Sequence, residues 1–215
     1  KYKGHREAIA KRIIETSKFR IEATESHFTS CSPWQILSPE SELEAKNDIA
    51  LRVFEELPDV CALLTKSSIF TDNVRINYRQ KMEYHVYTDD DNNFHLGFFG
   101  RTEKKKIPCG SCNLATNSLN DTAQSVISWL DQIKFPRRLL KTIIVRSNSK
   151  GETIAGLFAK TKEIKPLSNP PFDNLTIYYS NPKSPASVAD EVLFDAKRKH
   201  LTEILKGVTF KYGLM

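Results

Sequence analysis

Long hydrophobic runs are missing from this sequence. No window approaches the roughly 18 to 20 apolar residues that a membrane-spanning helix requires, and the first residues, KYKGHREAIAKRIIE, lack the apolar core of a secretory signal. The expectation is a soluble, cytoplasmic protein. Glycine is scarce, 8 residues in 215, and nowhere forms a GxGxxG or GxxxxGK loop, which argues against a nucleotide or cofactor cradle in this chain. The 4 cysteines follow no framework spacing, which excludes a disulfide-stapled secreted scaffold and leaves reduced thiols or a metal role. Methionine occurs twice, once as the final residue, and the chain opens on Lys1, so it reads as a piece of a longer protein.

Acidic residues are outnumbered by basic ones, giving a formal charge of +6 and making a polyanion, nucleic acid first, the favoured partner. The 40% hydrophobic content suffices for one large or two small cores. Residues 1–24 are strongly basic and fit a strand or a short helix equally. Ser38, Pro39, Glu40 and Glu42 make a helix start, and Leu43, Ile49, Ala50, Val53, Phe54 and Leu57 recur at helical spacing until Pro58. Met82, Tyr84 and Val86 then alternate with polar residues, TDDDNN turns the chain, and Phe94, Leu96 and Phe98 alternate on the return, which predicts a β-hairpin. A second helix is predicted from the stripe Leu114, Leu119, Val126, Ile127, Leu130 and Ile133. LLKTIIVRSN and ETIAGLFAKT form a second hairpin turning at Gly151, followed by a strand in NLTIYYS, two proline-rich loops and an alternating Val208, Phe210, Tyr212. The predicted class is α+β, with a mostly antiparallel sheet built from hairpins and helices covering it.

The run YRQKMEYHVY, then FHLGFFGR, then IPCGSCNLATNSLN resembles the central domain of the RNA uracil-5-methyltransferase family, whose members modify tRNA and rRNA with S-adenosylmethionine. HFTSCSPWQILSPESELEAK is similar to that family's cysteine-rich loop and following helix, and HLTEILKGVTFKYGLM to the lead-in of its catalytic domain. The resemblance implies five segments. Residues 1–24 are the tail of an N-terminal OB-like RNA-binding module, and 25–37 the cysteine-containing loop. Residues 38–58 are a helix that packs on the methyltransferase domain, 59–187 the central RNA-recognition domain, and 188–215 the lead-in to catalysis. It further implies that the cofactor domain and nucleophilic cysteine lie outside this chain. A stand-alone RNA-binding module and a small metal-organised domain are the competing readings.

Arg79 and Lys81, two apart, would share a strand face and reach phosphates. Arg101, Lys104, Lys105 and Lys106 form a basic loop beside them, and Arg137, Arg138, Lys141 and Arg146 a third basic group. Of Phe98 and Phe99, one is expected in the core while the other is free to stack on a base. Many members of the resembled family hold an iron-sulfur cluster on three early cysteines and a late one. Here Cys112 fits the late position and Cys31 alone remains early. With Cys109, and with His27 as a fourth donor, zinc is the other option; neither is favoured over no metal. Cys61 is expected to be a buried small hydrophobe.

Overall fold

The computed structural model describes residues 12–66, 69–91, 93–100, 105–164, 170 and 172–215. The chain forms two compact units, one from Lys1–Asn73 with Arg101–Lys104, the other from Val74–Gly100 with Lys105–Met215. No helix among the described residues is long and apolar enough to cross a membrane.

In the first unit Arg20 and Leu37 form an isolated antiparallel bridge that closes the loop between them, with Ile21 N donating to Ile36 O at 2.8 Å. Inside this loop lie a single helical turn, α1 (Phe28–Cys31), and a 3-10 turn (Pro33–Ile36). The next helix, α2 (Pro39–Val53), starts as its sequence dictates: the Ser38 hydroxyl accepts from Ser41 N at 3.2 Å, proline occupies the first turn, and Glu40 and Glu42 face the N-terminal dipole. The stripe predicted to run unbroken to Pro58 is instead divided. Phe54 ends α2, and Pro58 opens α3 (Pro58–Lys66), because proline is as well suited to the first turn of a helix as to halting one. Cys61 is half-buried on α3 rather than buried, and its thiol donates to Phe54 O at 3.1 Å, serving a carbonyl that the end of α2 leaves without a helical partner.

The second unit is a seven-stranded sheet: β1 (Lys81–Thr88), β2 (Phe94–Phe99), β3 (Lys106–Pro108), β4 (Leu140–Ser147), β5 (Thr153–Ala159), β6 (Leu175–Tyr179) and β7 (Glu191–Phe194), in the spatial order β3-β2-β1-β4-β5-β6-β7. Both predicted hairpins form, β1 with β2 and β4 with β5, the latter turning at Gly151 with φ 78°. The sheet is mixed, however, because β6 runs parallel to β5. The proline-rich stretch after β5 is long enough to carry the chain back to the same end of the sheet, whereas a tight turn would have forced antiparallel pairing. One helix, α4 (Asn117–Gln132), covers one face, burying Leu119, Ala123, Val126, Ile127, Trp129 and Leu130.

A further hairpin, β8 (Leu201–Leu205) and β9 (Val208–Tyr212), turns through Lys206 and Gly207, both at positive φ (48° and 81°), the two-residue geometry whose twist matches that of paired strands. Leu201 and Leu214 pack on Ile144, Ile154 and Phe158, on the side of the sheet away from α4. Gly156 makes room for this, since a Cβ there would lie 2.2 Å from Leu214 Cδ2. Replacing Leu214 with alanine is expected to cost about 2 to 5 kcal/mol in urea unfolding, because the emptied space lies over a glycine that has no side chain to fill it.

Candidate nucleic-acid interface

Strand alternation divides β1 and β2 between two surroundings. Met82, Tyr84, Val86, Phe94, Leu96 and Phe98 are buried on the α4 side, where Tyr84 and Phe98 stack at 5.6 Å and the Tyr84 hydroxyl reaches Asn120 Oδ1 at 3.4 Å. Lys81, Glu83, His85, Tyr87, His95 and Phe99 point to the opposite face. Over β4 to β6 that face is covered by Leu201, Leu214 and Tyr212; over β1 to β3 it carries partly exposed rings. Phe99 is 50% exposed, with His85 tilted against it at 5.8 Å, and Tyr87 lies against His95 at 5.4 Å. Gly97 permits this arrangement: a Cβ there would fall 2.7 Å from Ile107 O and 3.0 Å from the Tyr87 ring. The surface combines aromatic planes with ammonium groups at Lys81 and Lys106, the composition that single-stranded nucleic acid requires.

Electrostatics tune this surface. Burial lowers the His85 pKa, opposed by Glu83 and reinforced by Lys106 and Lys141, which favours the uncharged ring. Burial also lowers that of Lys106, helped by Lys160, and its ammonium donates to Val86 O at 2.7 Å. At the hairpin turn the Asp89 carboxylate accepts from Asn93 N at 2.7 Å and meets His95 Nε2 at 2.6 Å; the His95 hydrogen bond and then the Asn93 amide hold its pKa down to about 2.

The sequence-predicted cations meet different fates. Strand β1 opens at Lys81, so Arg79 lies ahead of it, bridged to Ala115, with its guanidinium 4.0 Å from Met82 Sδ. Lys81 is exposed on the open face. Arg101 and Lys104 lie outside the described residues, while Lys105 and Lys106 are exposed at the edge strand. The third group is largely taken up by the fold. Arg137 sits over the Phe94 ring at 4.7 Å and pairs with Asp131 at 3.5 Å; Arg146 sits over Tyr212 at 4.4 Å and donates to Gly213 O at 2.8 Å. The Lys141 ammonium bonds the Ser180 hydroxyl and the carbonyls of Asn181, Ser184 and Ala186, cinching a proline-rich loop. Arg138 alone of these four is exposed. His85, Tyr87 and His95 were missed as candidates, although the alternation that put Met82 and Tyr84 in the core already assigned them to the other side.

Each cysteine has its own hydrogen-bond setting. Cys31 belongs to the first unit, where Glu25, His27 and Gln35 surround it. Cys109 and Cys112 belong to the second; the Cys109 thiol donates to Ser111 O, and Asn120 brackets the Cys112 backbone, accepting from its N–H at 3.1 Å and donating to its carbonyl at 3.0 Å. Beside Cys31 the donors of its own unit are a carboxylate, an imidazole and an amide, a set poorer in thiolate than an iron-sulfur cluster uses.

Two outcomes are expected. Arg137→Ala and Arg146→Ala should each lower unfolding stability by roughly 1 to 2 kcal/mol through lost ring and carbonyl contacts, whereas Arg138→Ala should stay within about 0.5 kcal/mol. In an NMR titration the His85 ring should titrate below the ordinary value of about 6.5. The unfolded chain then binds the proton first as pH falls, so His85's contribution to stability is complete above that value and is lost as pH drops through the window below it.

No protein-family model matches the sequence, and no curated protein does. Among solved structures, the Pyrococcus abyssi tRNA (uracil-54, C5)-methyltransferase in complex with S-adenosyl-L-homocysteine is similar at 14% identity and a TM-score of 0.67. The match covers 94% of this chain and 47% of that one, so the 215 residues share the fold of about half of that enzyme's length.

Proposed function

We propose that this chain is the RNA-recognition portion of an S-adenosylmethionine-dependent RNA (uracil-C5) methyltransferase. It holds folded tRNA or rRNA so that a uridine drawn out of its stack enters a catalytic domain outside these residues. The observation that carries the reading is the likeness of fold to a tRNA (uracil-54, C5)-methyltransferase over nearly the whole chain. The open face of β1 to β3 supports it, because Phe99 and His85 offer planes to unpaired bases while Lys81 and Lys105 offer charge to phosphates. The exposed apolar side chains Ile49 and Val53 support the assignment of the helix within residues 38–58, α2, as one that packs on another domain. Residues 188–215, assigned as the lead-in to catalysis, also complete the second unit's core through Leu201 and Leu214. The cytosol, where such RNA is modified, is the proposed compartment.

In this reading the chain binds, orients and unstacks; methyl transfer itself needs a cofactor cradle and a nucleophile supplied elsewhere. The isolated chain is therefore expected to bind unmodified tRNA or rRNA transcript with steep salt dependence and to transfer no methyl group from S-adenosylmethionine. Lys81→Ala should flatten the plot of log affinity against log salt by about 0.7 to 0.9. Phe99→Ala should instead weaken binding by roughly 1 to 3 kcal/mol with the slope unchanged, the signature of lost stacking. Unaltered affinity and slope in both folded variants would make this face scaffold. RNA binding that never stimulates a separately supplied methyltransferase domain would favour a stand-alone RNA-binding module.

A further inference from the structure

The loop closed by the Arg20–Leu37 bridge gathers chemistry that the RNA-binding reading does not use. One helical turn, with Cys31 N donating to His27 O at 3.2 Å, places the His27 and Cys31 side chains on the same face. Glu25 reaches both: its Oε1 is 3.1 Å from His27 Nε2 and its Oε2 is 3.5 Å from Cys31 Sγ. The three residues are 9%, 5% and 5% exposed. Gln35 donates its amide to Glu25 Oε2 at 2.8 Å and to Cys31 Sγ at 3.3 Å, holding carboxylate and thiol in place from outside.

We propose that Glu25, His27 and Cys31 form a three-ligand site for a single divalent transition-metal ion of the zinc class, with Gln35 as its positioning residue. The spacing argues for it directly. Zinc bonds of about 2.0 to 2.2 Å to nitrogen and oxygen and about 2.3 Å to sulfur, set at tetrahedral angles, put neighbouring oxygen and nitrogen donors about 3.4 Å apart and oxygen and sulfur donors about 3.6 Å apart. The observed separations of 3.1 and 3.5 Å are made by the two different oxygens of Glu25, and one donor atom from each residue lies within 4.8 Å of the others, so small side-chain rotations bring all three onto a single ion. Donor chemistry agrees: one thiolate, one imidazole and one carboxylate suit zinc, whereas an iron-sulfur cluster is held mainly by thiolates. A fourth position remains for water or another donor. On binding, the Cys31 thiol loses its proton to solvent and its sulfur bonds to the metal. The competing account is a self-contained hydrogen-bonded cluster in which Glu25 accepts from Cys31 and Gln35.

The two accounts separate on the purified full chain. After chelator treatment and dialysis, zinc titrated against a chromophoric competitor should bind at one equivalent, and cobalt in its place should give the intense visible bands of a tetrahedral ion together with a thiolate-to-cobalt charge-transfer band. Cys31→Ser and His27→Ala should abolish both readings while far-ultraviolet circular dichroism is retained, and Gln35→Ala should weaken zinc binding about 10- to 100-fold. Should the variants fail to fold, thiol alkylation of the unmodified chain with and without zinc, read by peptide mass spectrometry, decides: slower labelling of Cys31 in the presence of zinc supports the site, and equal labelling overturns it. Zinc binding that is absent, a cobalt spectrum without thiolate character, binding undiminished in folded Cys31→Ser, or protein that carries stoichiometric iron after anaerobic preparation would each overturn the proposal.

Discussion

Leu119, Ala123, Val126 and Leu130 are wholly buried between α4 and the sheet, and the rest of the second unit depends on that burial. Apolar area removed from water at about 25 cal/mol per Å² is the largest favourable term available to a domain of this size. One helix therefore fixes which side of every strand is interior. Once Met82, Tyr84, Val86, Phe94, Leu96 and Phe98 are committed to α4, the two-residue period of a strand leaves no choice for the residues between them. Half of the opposite face is then closed by the C-terminal segment. The remaining half, over β1 to β3, is where rings and charges meet solvent.

Cations in this chain serve two purposes that composition does not distinguish. Lys141 gives its protons to a loop hydroxyl and three loop carbonyls, and Arg137 and Arg146 sit over the rings of Phe94 and Tyr212. Such groups stabilise the fold and have little capacity left for a phosphate. Lys81, Lys105 and Arg138 remain exposed, and a net positive charge spread over fewer exposed groups still raises the rate of encounter with a polyanion.

Local patterns were legible and long-range choices were not. The cap at Ser38, the alternation in β1 and β2, the stripe on α4 and the turn at Gly151 are each decided within a few residues, and the structure realises all four. Pro58 misled because its ring constrains the backbone in a way that both ends and begins helices, and only the tertiary setting selects between them. The parallel pairing of β6 with β5 escaped notice because strand direction is set by the path of the connection. Strand β7 is only four residues long, and β8, though as long as β9, buries Leu201 and Glu203, so its inward positions carry no apolar alternation. The Glu25, His27 and Cys31 cluster was half visible: His27 and Cys31 already stood together as candidate zinc donors, while Glu25 gave no motif to mark it.

The placement of β4 at the middle of the sheet also shapes how the chain reaches this structure. Its partner on one side, β5, follows almost at once, Ser147 pairing with Thr153 across a five-residue turn, while its partner on the other side, β1, pairs Lys81 with Arg146 from far upstream. Closing the short loop costs little entropy, whereas bringing β1 home orders a long intervening segment before any ladder contact rewards it. The β4–β5 hairpin and the β1–β2 hairpin, closed across a turn of the same length from Thr88 to Phe94, are thus both local units, and the costly step is the pairing of β1 with β4 that joins them. Until then the β1 edge is unpaired, and the ring-bearing surface that suits unstacked bases is also the part of the nascent protein most exposed to wrong partners.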